Sequence, residues 1–155
     1  MTTAQLQAKV ASKFPKPYPV AGLLQLQLLA PVLTMVPASN QIRALMPVTL
    51  SGPVLKQTFQ GQLDVSFGLR FEATDRTLRA QRVQVHALQI NDAPPALADM
   101  LATYAPRLGE QVLENLMLYQ FEDKDLALAD TIGLQPGAIT VTPQGLTLAL
   151  DKKTS

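Results

Sequence analysis

The stretch GQLDVSFGLRFEA, residues 61–73, alternates without interruption. Leu63, Val65, Phe67, Leu69 and Phe71 fall on one side, and Asp64, Ser66, Gly68, Arg70 and Glu72 on the other. A period of two over this length predicts a β-strand with one apolar face. The same period runs through most of residues 22–90. Leu24, Leu26 and Leu28 oppose Gln25 and Gln27, with Pro31 expected at a bulge or an edge. Ile42, Ala44 and Met46 share one side of the next stretch, and Ser51, Gly52 and Pro53 then turn the chain. TDR at 74–76 makes a hairpin turn into TLRAQRVQVHALQI. Four long strands in succession predict an antiparallel meander. In the fourth, the apolar set moves from Leu78 and Ala80 to Val83, Val85 and Ala87, then to Leu88 and Ile90. Its phase slips twice, so bulges and strong sheet curvature are expected.

Helical spacing brackets the meander. Thr2 and Gln5 stand at capping-box distance, and Leu6, Val10 and Phe14 recur four apart, which predicts a short helix over about 3–13. PKPYP at 15–19 stops it, because proline lacks the amide hydrogen and biases the residue before it to extended backbone. After residue 90 the period returns to 3.6. Leu97, Met100, Leu101, Tyr104, Leu108, Val112, Leu113, Leu116 and Met117 form one face, opposite Asp99, Thr103, Arg107, Glu110 and Glu114. A helix over about 94–119 is predicted, capped by Asn91 or Asp92, with Pro94 and Pro95 in its first turn and a kink where Pro106 precedes Gly109. The polar run 120–125 ends it, residues 126–131 add a further turn of helix, and AITVT with GLTLAL closes the chain as a hairpin over about 138–150.

These elements set a covering problem. At about 1.5 Å per residue the 94–119 helix is roughly 39 Å long, and strands of ten or more residues reach at least about 33 Å. Five or six strands about 4.8 Å apart span roughly 24–29 Å, whereas one helix is only about 10–12 Å across. One helix cannot cover a flat sheet of that width. The sheet must curl, recruit the N-terminal helix, or leave an apolar groove, and these outcomes are not exclusive.

Composition narrows the chemistry. The 155 residues, 47% hydrophobic and 16% charged, fit a single domain, 1–155, with a real core. A net charge of +1 gives no general attraction to nucleic acid or to an anionic membrane. Mean hydropathy is +0.12, high for a free-standing soluble domain, although Trp is absent and aromatics are 5%. With no cysteine, disulfides and thiolate chemistry are excluded. MTTAQLQAKVASKF lacks a basic-then-apolar leader pattern, and no run reaches the roughly 18 apolar residues of a membrane span. A signal peptide or lipid-bearing cysteine upstream would not be visible in these residues.

His86 is the single histidine, which excludes multi-histidine metal sites, and no serine stands in a G-x-S-x-G context. No catalytic residue, metal or cofactor is expected, and His86 reads as a half-exposed strand position. Glu122, Asp123, Asp125 and Asp130, with Asp151 folding back, gather acid without calcium-loop spacing, so a solvated loop or helix cap is expected there. Neither a Walker loop nor an aromatic-interleaved basic stripe occurs, which leaves nucleotide and nucleic-acid roles without a basis.

The order of helix, four long strands, long helix and closing hairpin resembles the bacterial YceB-like lipoprotein family. LQAKVASKFP at the start, LENLMLYQFED after the long helix and GAITVTPQGLTLAL at the end carry the likeness, which spans essentially the whole chain. That family is similar to the tubular lipid-binding (TULIP) superfamily. The resemblance implies an α+β roll, a strongly curved antiparallel sheet wrapped around one long helix in the C-terminal half, plus the short N-terminal helix. It implies non-catalytic binding of a lipid or fatty-acyl ligand between sheet and helix. It also implies a periplasmic, envelope setting with membrane attachment through an N-terminal cysteine, which this chain lacks.

Periodicity then nominates the lining: Leu63, Val65, Phe67, Leu69 and Phe71 from the strand, and Leu97, Met100, Leu101, Tyr104, Leu108 and Val112 from the helix. Two readings stay open, a lipid cavity or a dry core where these faces meet. Tyr104 brings the one polar tip on the inward helix face, for a headgroup or a backbone carbonyl. Arg70, Arg76, Arg79 and Arg82 gather around one hairpin, to meet lipid phosphates or to solvate the sheet. The competing class is a structural envelope protein with a filled core and a protein partner of unknown identity.

Overall fold

Thr2 and Gln5 close their capping box in both directions, each side chain bonded to the other's backbone amide, and start α1 (Thr3–Ala11). The computed structural model describes residues 1–20 and 22–152, and the side chains of residues 125 and 128–130 lie outside that description, as does most of the DKKTS tail. After α1 come β1 (Lys16–Val20), β2 (Leu24–Leu28), β3 (Val32–Val36), β4 (Gln41–Ser51), β5 (Phe59–Glu72) and β6 (Thr77–Ile90). Then follow α2 (Pro95–Leu108), a π-helical turn over Gly109–Leu113, β7 (Met117–Gln120), α3 (Asp123–Thr131), β8 (Leu134–Thr142) and β9 (Gly145–Lys152).

The architecture is α+β. A seven-stranded antiparallel sheet runs β1-β2-β4-β5-β6-β7, with β3 also on β4, and curls into a half-barrel; β8 and β9 form a separate hairpin. The single strand expected through 23–37, with Pro31 at a bulge or an edge, is instead two strands, β2 and β3, which share one edge of β4 and are separated at residues 29–31. Both phase slips in the fourth strand are register shifts against β5. One lies opposite Ser66–Gly68, where Arg82 takes positive φ, and the other lies opposite Asp64–Val65. Each inserts one residue into β6 and bends the sheet.

Two further expectations are corrected. PKPYP does not merely stop the helix; from Lys16 onward it becomes edge strand β1, paired with β2. Tyr18 and Val20 turn into the core while Pro17 and Pro19 alternate with them. Proline has no ladder donor to offer, so a strand of this kind suits a sheet edge and blunts it against further pairing.

The second correction is the long helix. α2 ends at Leu108, eleven residues short of the expected 119, and its N-cap is Pro94 rather than Asn91 or Asp92. Pro106 removes one amide donor from the last turn, and the chain widens to an i→i+5 bond, Glu114 N–H to Gly109 C=O at 2.8 Å. Asn115 then takes positive φ and β7 pairs with the edge of β6. The apolar run 112–117 fits a helical period by coincidence; an unpaired strand edge offers its backbone a ladder instead.

At 14 residues α2 is only about 21 Å long and spans half the sheet. The remainder is covered by α1, whose Leu6 and Val10 are fully buried, and by β8–β9, whose Ile139 and Val141 join the same apolar cluster. Asn40 ties that hairpin to the sheet: its side-chain amide donates to Ile139 C=O and accepts from Val141 N–H. The N-terminus is pinned too, with Leu146 N–H on Met1 C=O and Thr3 N–H on Gln144 C=O. Among the described residues, no helix is long and apolar enough to cross a membrane.

Candidate functional site

Alternation places the inward faces of β4, β5 and β6 against α2 and α1 in one apolar cluster. Of the expected lining, Leu63, Val65, Phe67, Leu101 and Leu108 are buried, while Leu69, Phe71, Leu97, Met100, Tyr104 and Val112 are half-buried against them. All eleven therefore border the same interior. Beside α1 and the post-helical turn lies a narrow, partly open apolar space of about 20 Å³, bounded by Val65 and Phe67 together with Val10, Ala44, Met46 and Leu113 among others. That is room for roughly one water, and side chains fill the rest. Ala44 and Met46 stand on the alternating face of β4, a signal as clear as that of β5, but α2's shortened length is what brings α1 and the post-helical turn to this space.

The two ends of the sheet differ. At one end the β1–β2 turn, the β4–β5 loop and the start of α2 converge. Leu23 and Val54 are 58% and 62% exposed there. Two open grooves, about 310 and 570 Å³, share Val54, Leu55, Ala96 and Leu97; the smaller reaches Leu23 and Met100, and the larger reaches Phe59 and Lys56. Of the nominated residues, Leu97 and Met100 line this mouth. Leu23, Val54, Leu55 and Phe59 escape a periodicity reading because they sit in or beside turns. The legible signal was VL inside SGPVLKQ, apolar residues in a loop with no strand partner.

The opposite end is ionic. Arg79 pairs with Asp75 at 2.6 Å and donates to Asn115 C=O, Arg70 pairs with Glu72 at 2.8 Å and donates to the Asn115 side chain, and Arg76 pairs with Asp123 at 3.2 Å. Three of the four clustered arginines are thus engaged within the chain. The fourth, Arg82, lies against Gly68. Hydrogen bonds from Arg70 hold the Glu72 carboxyl below its usual range, and bonds from Thr77 and then Arg79 do the same for Asp75. Phe71, nominated as lining, lies at this end, edge-on to Phe121 at 5.6 Å.

Other nominated groups settle into specific surroundings. Tyr104 makes no hydroxyl hydrogen bond among the described residues, and its ring lies under Arg107 at 5.8 Å. His86 is exposed and its Nε2 is 2.8 Å from Ser66 Oγ. Asp64, the nearby carboxylate, is gripped by both arms of Arg43 at 2.9 and 2.6 Å, which lowers its pKa. Backbone groups around Ser66 are committed to the β4–β5–β6 ladders, so no pair of amides converges on it as an oxyanion hole requires. Asp151 lies over Gly137 within the hairpin; the side chains of Asp125 and Asp130 lie outside the described residues. No cluster suited to a metal occurs among the described residues.

A scan of protein-family models and a search of curated proteins find no match to this chain. Function must be argued from the mouth and the interior themselves.

Proposed function

We propose that the protein binds a lipid or other apolar ligand, without catalysis, between the curled sheet and α2, through the grooved mouth. The observation that supports this best is the mouth itself. Leu23 and Val54 stand in water beside grooves whose inner walls, Leu97 and Met100, continue into the core. Exposed apolar side chains grouped at a concave surface mark binding sites more often than scattered ones do. Burial supplies the affinity, at about 0.8 kcal/mol per methylene removed from water, so an acyl chain needs few polar contacts. The resemblance to YceB-like lipoproteins adds a TULIP-like reading of the roll and a periplasmic, membrane-attached setting in the bacterial envelope.

A second reading rests on the 20 Å³ interior: a filled core that serves a protein partner at the envelope. Native mass spectrometry of protein purified without detergent, followed by titration with the fluorescent fatty acid cis-parinaric acid, separates them. The lipid reading expects co-purified or added acyl ligand to bind, and Leu97→Asp, at a half-buried mouth position, to weaken binding at least tenfold while leaving the fold intact. Protein that is lipid-free and takes up no parinaric acid would favour the filled-core reading.

A further inference from the structure

The interior as it stands admits no chain, and α2 is anchored unevenly. Beyond its last turn, Glu114 accepts hydrogen bonds from the Arg82 and Val83 amides, both at 2.8 Å, at the bulge where Arg82 takes positive φ. Gln111 accepts from Tyr18 Oη on β1 at 3.0 Å, so the turn is tied to the far edge strand as well. Asn115 donates its backbone N–H to Ala80 C=O, Ala80 N–H donates in turn to Leu116 C=O, and Asn115 receives Arg70 and Arg79. Gly109 lies so close to β6 that a Cβ there would come within 3.1 Å of Val85 and 3.4 Å of Val83.

α2 itself has none of this side-chain anchoring. Among the described residues, no side-chain hydrogen bond or ion pair joins Pro95–Leu108 to another element; Thr103 bonds only to Asp99 in its own helix. Leu97, Met100 and Leu101 hold it by apolar contact, and both grooves of the mouth run alongside. Between the body of α2 and this anchored stretch, regular helical hydrogen bonding is lost at Pro106 and in the π-turn, the kind of interruption at which helices bend. Apolar contacts are non-directional and can be exchanged for a ligand's, whereas the hydrogen-bonded end holds one geometry.

We propose that α2 is a gate hinged at residues 106–115: the Pro95–Leu101 half swings away from the β4–β5 loop while Gly109–Asn115 stays on the sheet, and an apolar ligand enters beneath it. The narrow apolar space lies toward the hinge, against Leu113, so a chain reaching it from the mouth must part Leu97, Met100 and Leu101 from the sheet. The proposal rests on the ligand-binding reading for its purpose, but the motion can be read without a ligand.

The chain has no cysteine, so introduced thiols are unique. Leu101→Cys and Leu118→Cys replace side chains that are 2% and 1% exposed, one under the gate and one on β7 beyond the hinge. Under native conditions the thiol at 101 should react with a maleimide at least tenfold faster than that at 118. Equal rates would mean that both open only by global unfolding, and would overturn the gate whether or not lipid binds. A Val54→Cys, Ala96→Cys pair, both lining the mouth, is then bridged with a flexible bismaleimide, and the same pair capped singly with N-ethylmaleimide serves as the control. Bridging should slow parinaric acid uptake at least tenfold relative to capping. Undiminished uptake after bridging overturns the gate and leaves the binding reading standing. No uptake by the unmodified chain overturns the binding reading, while the labelling ratio still decides the motion.

Discussion

The two ends of one sheet are built from the same alternating strands and finish in opposite chemistry. At the mouth, turns deliver Leu23 and Val54 to solvent and α2 rests on its neighbours by apolar contact alone. At the other end, Arg70, Arg76 and Arg79 each meet a carboxylate, Asn40 stitches on the closing hairpin, and Thr77 is fully buried with its hydroxyl satisfied. The contrast does not come from the strands. It comes from what the chain does on leaving them: a loop with apolar residues on one side, and a tight ionic turn followed by an added strand on the other. An end held by directional bonds has one arrangement, and an end held by burial can trade one apolar neighbour for another.

The sharpest way to break this comparison is to truncate an apolar side chain on either side of it. Leu108, 1% exposed where α2 meets its pinned turn, should cost about 2–5 kcal/mol as Leu108→Ala, through lost transfer energy and the cavity left behind. Leu23→Ala and Val54→Ala should stay within about 0.5 kcal/mol of wild type, since their side chains already stand in water. Urea unfolding measures all three. If the mouth substitutions cost as much as Leu108→Ala, those residues are buried in solution and the mouth is not open.

A smaller effect tests the pinned end. Glu114→Ala leaves the Arg82 and Val83 amides without their acceptor and should cost about 1 kcal/mol, because water reaches that edge in part. Glu110→Ala, an exposed carboxylate one turn earlier, is the control and should change nothing measurable in the same urea titration. Equal effects would mean that the bulge is not held by Glu114, and the asymmetry along α2 would lose its main support.

How much of this could be read from letters depends on the kind of signal. Alternation located β4, β5 and β6 and even the two bulges, because a strand buried on one face cannot slip by a residue without exposing its apolar set. The same reasoning misread residues 114–119, beyond the π-helical turn. Val112, Leu113, Leu116 and Met117 satisfy a helical period, and only the open edge of β6, a partner forty residues away, decides that the chain leaves the helix for β7. β1 was hidden by its prolines, which argue against an interior strand but suit an edge. Which side chains face the apolar interior was legible for the same reason that the strands were. The mouth was not, since its residues occupy turns, where period means nothing and only the fold brings Leu23, Val54 and Leu97 together.

The smallest expected effect is electrostatic, and two of its three carboxylates, Glu72 and Asp75, stand at the ionic end while Asp64 sits mid-sheet. Asp64, Glu72 and Asp75 all have pKa values lowered in the folded protein, by hydrogen bonds from Arg43, Arg70, and Thr77 with Arg79 respectively. A carboxyl whose folded pKa lies below its unfolded value, about 3.9 for Asp and 4.3 for Glu, stabilises the fold above that value. The contribution is lost as pH falls through the folded pKa. Stability should therefore decline below about pH 4, and modestly, because these pairs are solvent-screened. Asp64→Asn combined with Glu72→Gln and Asp75→Asn should flatten the decline between pH 5 and 3 in urea midpoints, while lowering stability slightly at pH 7. Lys56, the charged residue lining the mouth, has no ion-pair partner among the described residues, so Lys56→Gln should leave the acid response unchanged. An unchanged acid decline in the triple variant would place the titrating groups elsewhere. A decline that instead followed Lys56 would make the mouth an electrostatic site and erase the division between an end held by charge and an end held by oil.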